Sequence, residues 1–356
     1  MDTTTQFSAP PVLFRDIEAP FLRACHRLPT DFNPVWFMRQ AGRYMPEYRA
    51  IRDRYSLLEI CYQPELAAEV TLQPVRALGV DAAILFADIL LPIIPLGLGL
   101  EFAKGEGPII GKPIRTMEDV LALHPFNAET DLDYVMEAIR LLRGELKSIP
   151  LIGFCGAPFT VASYMIEGGS SREFLKTKSM MYAAPDVWHA LMQRLSAVLA
   201  DYLSAQIRAG AQAVQIFDSW VGALSPQDYE KFAEPYSSQI IQTVKTTGVP
   251  VIHFGTNTTT LLTRMKRAGG DVIGLDWRIP LDDGWKLLGE DVAVQGNLDP
   301  ASLFAPLPEI RTRVNDILRR ASGRPGHIFN LGHGIMQHTP VDHVKAVVDM
   351  VHEYGT

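Results

Sequence analysis

Val249-Pro-Val-Ile-His-Phe-Gly-Thr-Asn-Thr-Thr-Thr-Leu-Leu-Thr-Arg-Met-Lys-Arg-Ala-Gly-Gly-Asp-Val-Ile-Gly-Leu-Asp276 has the pattern of one strand–helix–strand unit. It opens on an apolar run, Val249 to Phe254. A helical pattern follows from Thr258 to Ala268, and a second apolar run spans Val272 to Asp276. Both apolar stretches are runs rather than alternations. Strands buried on both faces read this way, and such strands belong to parallel sheets covered by helices.

The same unit recurs on either side. Downstream, the pattern predicts a helix over Leu281 to Leu288, a strand over Val292 to Gly296, a helix over Pro308 to Arg320 and a strand over His327 to Leu331. Thr339-Pro340 then caps a last helix running to Tyr354. Upstream, strands are expected at Val35 to Met38, Asp81 to Asp88, Pro150 to Gly156 and Ala213 to Asp218. The helices between them are expected at Pro64 to Leu78, Leu132 to Leu146 and Asp186 to Ala209, with shorter ones at Phe21 to Leu28 and Met180 to Ala183. Ser225 caps another, with Pro226 at its first position and Gly248 as its close. Eight strands with helices between them predict a single (β/α)8 barrel. The competitor is a doubly wound open sheet. No Gly-x-Gly-x-x-Gly follows the first strand, which disfavours a dinucleotide-binding version of it. Lys104-Gly-Glu-Gly107, flanked by Leu98 to Phe102 and Pro108 to Pro113, reads as a hairpin insertion after the second strand. Residues 1–18 are polar with a Pro-Pro pair and read as a flexible N-terminal arm, leaving 19–356 as the barrel domain.

Composition narrows the function classes. A net charge of −7 argues against a nucleic-acid surface, so any anion site has to be local. Three widely separated cysteines, Cys25, Cys61 and Cys155, suit a reducing compartment without a disulfide framework. The start lacks a basic region followed by an apolar core, and the most apolar stretch, Ala82 to Leu100, is broken by Asp88, Pro92 and Pro95. Neither a secretory signal nor a membrane span is expected, and the location expected is cytoplasmic.

In a barrel the chemistry gathers at the C-terminal ends of strands. That rule selects Arg39 and Arg43, Asp88, Cys155 to Thr160, Asp218 and Ser219, His253, Asp276, Gln295 to Asp299, and His333. Arg39 and Arg43 lie in Val35-Trp-Phe-Met-Arg-Gln-Ala-Gly-Arg-Tyr44, with Gly42 allowing a tight turn. Forked, permanently charged guanidinium groups at the mouth of a buried strand call for carboxylate or phosphate partners. Asp88 closes an apolar strand, so its carboxylate must find donors or lose its charge. Pairing with Arg39 or Arg43 would meet that need structurally. Asp218 and Asp276 read as structural acids that cap or pair. His253 reads as a core histidine. His333, between Gly332 and Gly334, sits where the backbone approaches a ligand. Metal sites look weak, because neither Cys-x-x-Cys nor His-x-x-x-His occurs.

Several of these stretches together resemble the uroporphyrinogen decarboxylase family. Pro34-Val-Trp-Phe-Met-Arg-Gln-Ala-Gly-Arg-Tyr-Met-Pro-Glu47 is similar to its N-terminal signature, and Gly153-Phe-Cys-Gly-Ala-Pro-Phe-Thr160 to its second. Phe86-Ala-Asp-Ile-Leu90, Phe217-Asp-Ser-Trp220, Gln295-Gly-Asn-Leu-Asp-Pro300 and Asn330-Leu-Gly-His-Gly-Ile335 follow in the family's order. The resemblance implies a (β/α)8 barrel, a homodimer with facing clefts, and no metal or organic cofactor. It implies removal of carbon dioxide from the four acetate arms of uroporphyrinogen III, giving coproporphyrinogen III for tetrapyrrole biosynthesis. It assigns substrate binding to Arg39, Gln40, Ala41, Gly42, Arg43, Asp88, Tyr164, Ser219 and His333, with Asp88, Arg39 and Arg43 as the catalytic group. The alternatives are a zinc-dependent methyltransferase of the same barrel type serving a corrinoid partner, and a tetrapyrrole-binding protein without activity.

Overall fold

A computed structural model describes residues 18–103 and 107–354. The expected N-terminal arm, except Glu18, lies outside the described residues, as do Lys104, Gly105 and Glu106.

Among the described residues there are nine strands: β1 (Ala83–Ile84), β2 (Leu100–Ala103), β3 (Gly107–Ile110), β4 (Leu151–Gly156), β5 (Ala213–Asp218), β6 (Val251–Gly255), β7 (Val272–Gly274), β8 (Ala293–Gln295) and β9 (His327–Ile328). Seven of them form one sheet in the order β1-β4-β5-β6-β7-β8-β9, and every pairing in it is parallel. β2 and β3 form a separate antiparallel pair, with Leu100 opposite Ile110 and Phe102 opposite Pro108.

The parallel sheet is curled. Gln295 of β8 donates from Nε2 to Gln215 Oε1 of β5 at 3.1 Å. Two strands separate β5 from β8 in the sheet, so this bond crosses the interior. Trp36 Nε1 extends the chain by donating to Gln295 Oε1 at 2.9 Å. All three side chains are buried, and in such a place a polar group needs a partner.

The expected first strand, Val35 to Met38, is not a full strand. Only Val35 bridges in parallel, to Phe329. The backbone around it nevertheless bonds on both sides: Phe329 N–H donates to Pro34 O at 2.8 Å, and Asp81 N–H donates to Val35 O at 2.8 Å. Pairing stops after Val35 because the chain turns at Met38–Arg39, where Arg39 takes the left-handed conformation (φ 60°).

The helices follow the local chemistry. Pro64–Leu78 starts on proline and ends on left-handed Gly79 (φ 72°). Leu281–Leu288 also has the expected bounds. Ser225 caps Pro226–Phe232 by accepting from Asp228 N–H at 3.1 Å. The chain then breaks at Ala233, and Glu234–Lys245 is a second helix where one continuous helix is expected. Pro235 explains the break: it lacks a donor and suits a helix start. Val341–His352 has Pro340 at its cap and no side-chain cap bond, so Thr339 does not cap it.

Candidate active site

One cavity of about 380 Å³ opens among residues at the C-terminal ends of the parallel strands. Its lining includes Arg39, Ala41, Asp88, Tyr164, Ser219 and His333. Six positions selected from distant parts of the sequence therefore meet. Gln40, Gly42 and Arg43 do not line it. Gln40 is fully buried, and its side chain accepts from Phe37 N–H and donates to Ala82 O, so it braces the loop that presents Arg39. Arg43 is exposed, and its carbonyl accepts from Arg49.

Two features bring the cationic side of the cavity together. Buried Asn330 accepts at Oδ1 from Met38 N–H at 3.2 Å and from Leu331 N–H at 2.8 Å. Ile335 N–H then donates to Met38 O at 2.9 Å. The Arg39 turn and the His333 loop are thus strapped to each other. Between them lies Gly334, where an added Cβ would overlap Arg39 Cγ and Cδ. Glycine at 334 leaves the arginine its path into the cavity.

Asp88 arrives from the opposite side. After β1 the chain leaves the sheet, and Thr71 Oγ1 of the helix Pro64–Leu78 accepts from Phe86 N–H at 2.9 Å. β4 outruns its neighbour there. The unpaired amide and carbonyl of Phe154 are taken up by Gln206, with both bonds 2.8 Å. The divergence of β1 from β4 opens the space in which Asp88 sits. Its Oδ1 accepts from Leu90 N–H at 2.8 Å. Among the described residues neither Arg39 nor Arg43 comes within ion-pair distance of a carboxylate, so Asp88 is not spent on a structural pair with them.

The walls are mostly apolar. Phe86, Phe154, Phe217 and Phe254 line the cavity, and Phe217 pairs in register with Phe254 across β5 and β6. Phe154 and Phe217 meet edge to face at 5.4 Å. Phe102 and Pro108, opposite each other across β2 and β3, add a further side. That ribbon is anchored by Ile110 N–H donating to Gly168 O at 3.0 Å, at the end of the helix Pro158–Glu167.

This low-dielectric setting shifts the titrations. Part of Asp88 faces the open cavity, yet burial still raises its pKa, while the Leu90 amide and the Arg39 charge pull it back. Burial, and then the charge of Asp88, push the Tyr164 phenol up to about 12. His333 is lowered by burial and then by Arg39, which holds the imidazole neutral. A neutral imidazole can donate a hydrogen bond without adding a second cation.

The other strand-end residues divide. Asp276 is structural as expected: it pairs with Arg278 Nη1 at 2.8 Å and accepts from the amides of Arg278 and Asn257. Asp218 is fully buried and accepts from Thr160 Oγ1 at 3.0 Å. His253 is a core residue, and burial lowers its pKa to about 4 against the opposing pull of the Gly269 and Met265 backbone. Cys155 is buried, with its thiol pKa raised by burial. Among the described residues no group of three or more His, Cys, Asp or Glu could hold a metal ion.

Sequence reasoning did not single out Asn330 as a strap or the four phenylalanines as walls. The phenylalanines did leave a signal, since Phe86 stands close before Asp88, Phe217 directly before Asp218 and Phe254 at the end of its apolar run.

Residues 17–354 match the family model described as Uroporphyrinogen decarboxylase (URO-D). A protein named uroporphyrinogen decarboxylase from Sorangium cellulosum is 59% identical, covering 93% of this chain and 95% of its own. Its namesake from Carboxydothermus hydrogenoformans is 58% identical, covering 94% and 96%. That from Solibacter usitatus is 56% identical, covering 94% and 97%. Among solved structures, a methyltransferase from Methanosarcina mazei superposes with a TM-score of 0.76 at 19% identity, covering 95% of this chain and 98% of its own. At that identity the likeness concerns the fold alone.

Proposed function

Since the chain belongs to the uroporphyrinogen decarboxylase family, we propose that the cavity between Asp88 and Arg39 is where carbon dioxide leaves the four acetate arms of uroporphyrinogen III. The chain is a carboxy-lyase of porphyrin biosynthesis. The observation that carries the site assignment is Asp88: a carboxylate facing an aromatic cavity with no cation in ion-pair reach among the described residues.

The macrocycle answers that need. Its pyrrole N–H groups point inward, and Asp88 accepts them once the ring is seated. Its apolar faces suit the walls of Phe154, Phe217 and Phe254. Its acidic arms meet Arg39, whose forked guanidinium holds a carboxylate through two parallel bonds. Tyr164, Ser219 and neutral His333 donate to further arms. Exposed Arg43 takes an arm that reaches solvent, and Gln40 and Gly42 act by shaping the turn.

Decarboxylation then needs an electron sink. Protonation of a pyrrole carbon beside an acetate arm makes the ring cationic. The C–C bond to the carboxylate breaks, its electron pair enters the ring, and carbon dioxide departs. The exocyclic carbon takes a proton to become methyl, and the ring carbon gives up the proton it first accepted, so the pyrrole is restored and one proton is consumed for each carbon dioxide released. Asp88 sits where the positive charge develops, so it stabilises the transition state more than the ground state.

The fold reading is a closed (β/α)8 barrel in a single domain over 19–356, with residues 34–36 as the remaining stave. The backbone bonds from Pro34 and Val35 to Phe329 and Asp81 support it. We read β2 and β3 as a hairpin insertion, on the strength of their antiparallel register. A cytosolic homodimer is the assembly the family suggests, and sedimentation tests it.

The deciding experiment is an anaerobic assay with reduced uroporphyrinogen III, its products separated by number of carboxylates. Stepwise loss of four carboxylates to coproporphyrinogen is expected, and purified, folded protein that yields no decarboxylated product overturns the reading. The zinc-dependent alternative lacks a ligand cluster among the described residues. Activity that fell with chelator would revive it.

A further inference from the structure

Asp218 is buried at the end of β5, one residue before cavity-lining Ser219, yet it does not line the cavity itself. Its Oδ2 has no hydrogen-bond partner, and burial raises its pKa to about 7. An apolar residue would fill this place without the cost of burying a carboxyl group. What the carboxyl adds is an acceptor. Thr160 Oγ1 donates to Asp218 Oδ1 at 3.0 Å and itself accepts from Trp220 N–H at 3.2 Å. The indole of Trp220 stacks on the Tyr164 ring at 3.9 Å and 28°. Thr160 and Tyr164 lie one turn apart on the helix Pro158–Glu167.

A threonine hydroxyl has one hydrogen and two lone pairs. Thr160 is the third residue of its helix, so the residue four earlier, Gly156, belongs to β4 and the hydroxyl lacks the carbonyl partner it would have in a helix interior. Asp218 takes the hydrogen instead and leaves a lone pair facing Trp220. Resting on the function proposed above, we infer that Asp218 is a positioning residue for this reaction, setting Tyr164 at the cavity wall through the Thr160 hydroxyl and the Trp220 amide.

The test is a double-mutant cycle in the porphyrinogen assay. Thr160→Val and Asp218→Leu each lower kcat/KM roughly tenfold, mainly through KM, as one lost buried hydrogen bond would. Thr160→Ser and Asp218→Asn, which keep the donor and an acceptor, recover most of it. In a Tyr164→Ala background the Thr160→Val loss shrinks to about twofold or less. An undiminished loss in that background overturns the inference. Native-state hydrogen exchange on the unmutated protein gives a second readout that needs neither folded variants nor activity. The Trp220 amide is expected to be protected, and exchange at the rate of an exposed loop amide also overturns the inference. Inactive wild-type protein would instead sink the function, leaving the exchange result to stand separately.

Discussion

In the proposed reaction Asp88 faces the charge that develops on the ring. Asp88→Asn keeps the size and loses the charge, so kcat is expected to fall about a hundredfold or more, as when a preorganised charge is lost from a dry site. Steady-state turnover checks this, and a near-normal rate would remove Asp88 from the reaction. The pH dependence carries a further signature. Burial raises the pKa of Asp88 in the free protein, and the proposed reaction uses the ionised form, so activity is expected to fall as pH drops through that raised value. Bound N–H donors favour the ionised form and draw the pKa down again. The acid limb of kcat/KM, which reports the free enzyme, should therefore lie at higher pH than the acid limb of kcat. Coincident limbs would mean that Asp88 does not meet the pyrroles. At position 334 the constraint is steric. Gly334→Ala pushes on Arg39 and should raise KM roughly tenfold to a hundredfold, the scale of a misplaced binding group. Thermal unfolding, by contrast, should move little.

Among the elements, the loops do the assembling. The 330–335 loop and the turn at Met38–Arg39 come from opposite ends of the chain, and the Asn330 side-chain oxygen joins them by accepting from Met38 of the turn and Leu331 of its own loop. Asn330→Ala leaves the buried amides of Met38 and Leu331 without that acceptor, which should cost about 2 kcal/mol or more. Denaturant unfolding measures the stability, and kcat/KM should fall in the same variant because Arg39 and His333 both shift. Stability loss with intact kcat/KM would show that the strap is purely structural. The helices are plainer. Proline, serine and glycine mark their ends in the sequence, and Pro64–Leu78 and Leu281–Leu288 fall where those marks put them. The split at Ala233 was legible too, in Pro235, but the continuous apolar periodicity on both sides masks it.

For the whole molecule, the protons bound by buried groups set the pH of greatest stability. Burial lowers His253 and His327 to about 4, so each stays neutral in the folded state and takes a proton on unfolding between about 4 and 6.5. Asp218 runs the other way: raised to about 7, it is protonated when folded and releases its proton on unfolding above 3.8. Of these three groups two take up a proton and one releases it, while lowered His333 adds to the uptake and raised Asp88 to the release, so the net uptake stands and stability falls as pH drops below 6.5. Above 6.5 the histidine contribution is complete. Asp218 still favours unfolding up to about 7, and His352, raised mainly by its bond to Asp81, loses its stabilising charge as pH rises through its folded value. Denaturant midpoints measured from about pH 4 to 8 should peak near 6.5, and a steady rise to 8 would contradict this. The strand–helix repeat, the order of the strands and the family motifs were legible in the sequence, because runs of apolar residues and helix-end signals are local and each is written in consecutive residues. Which groups face each other is settled by packing between distant elements. Arg39 reaches the cavity while Arg43 does not, Gln40 turns inward as a brace, and Asn330 and Gln206 satisfy backbone groups on elements far away in the chain. Those outcomes depend on the curl of the sheet and on where β1 parts from β4, and no short stretch of sequence contains either.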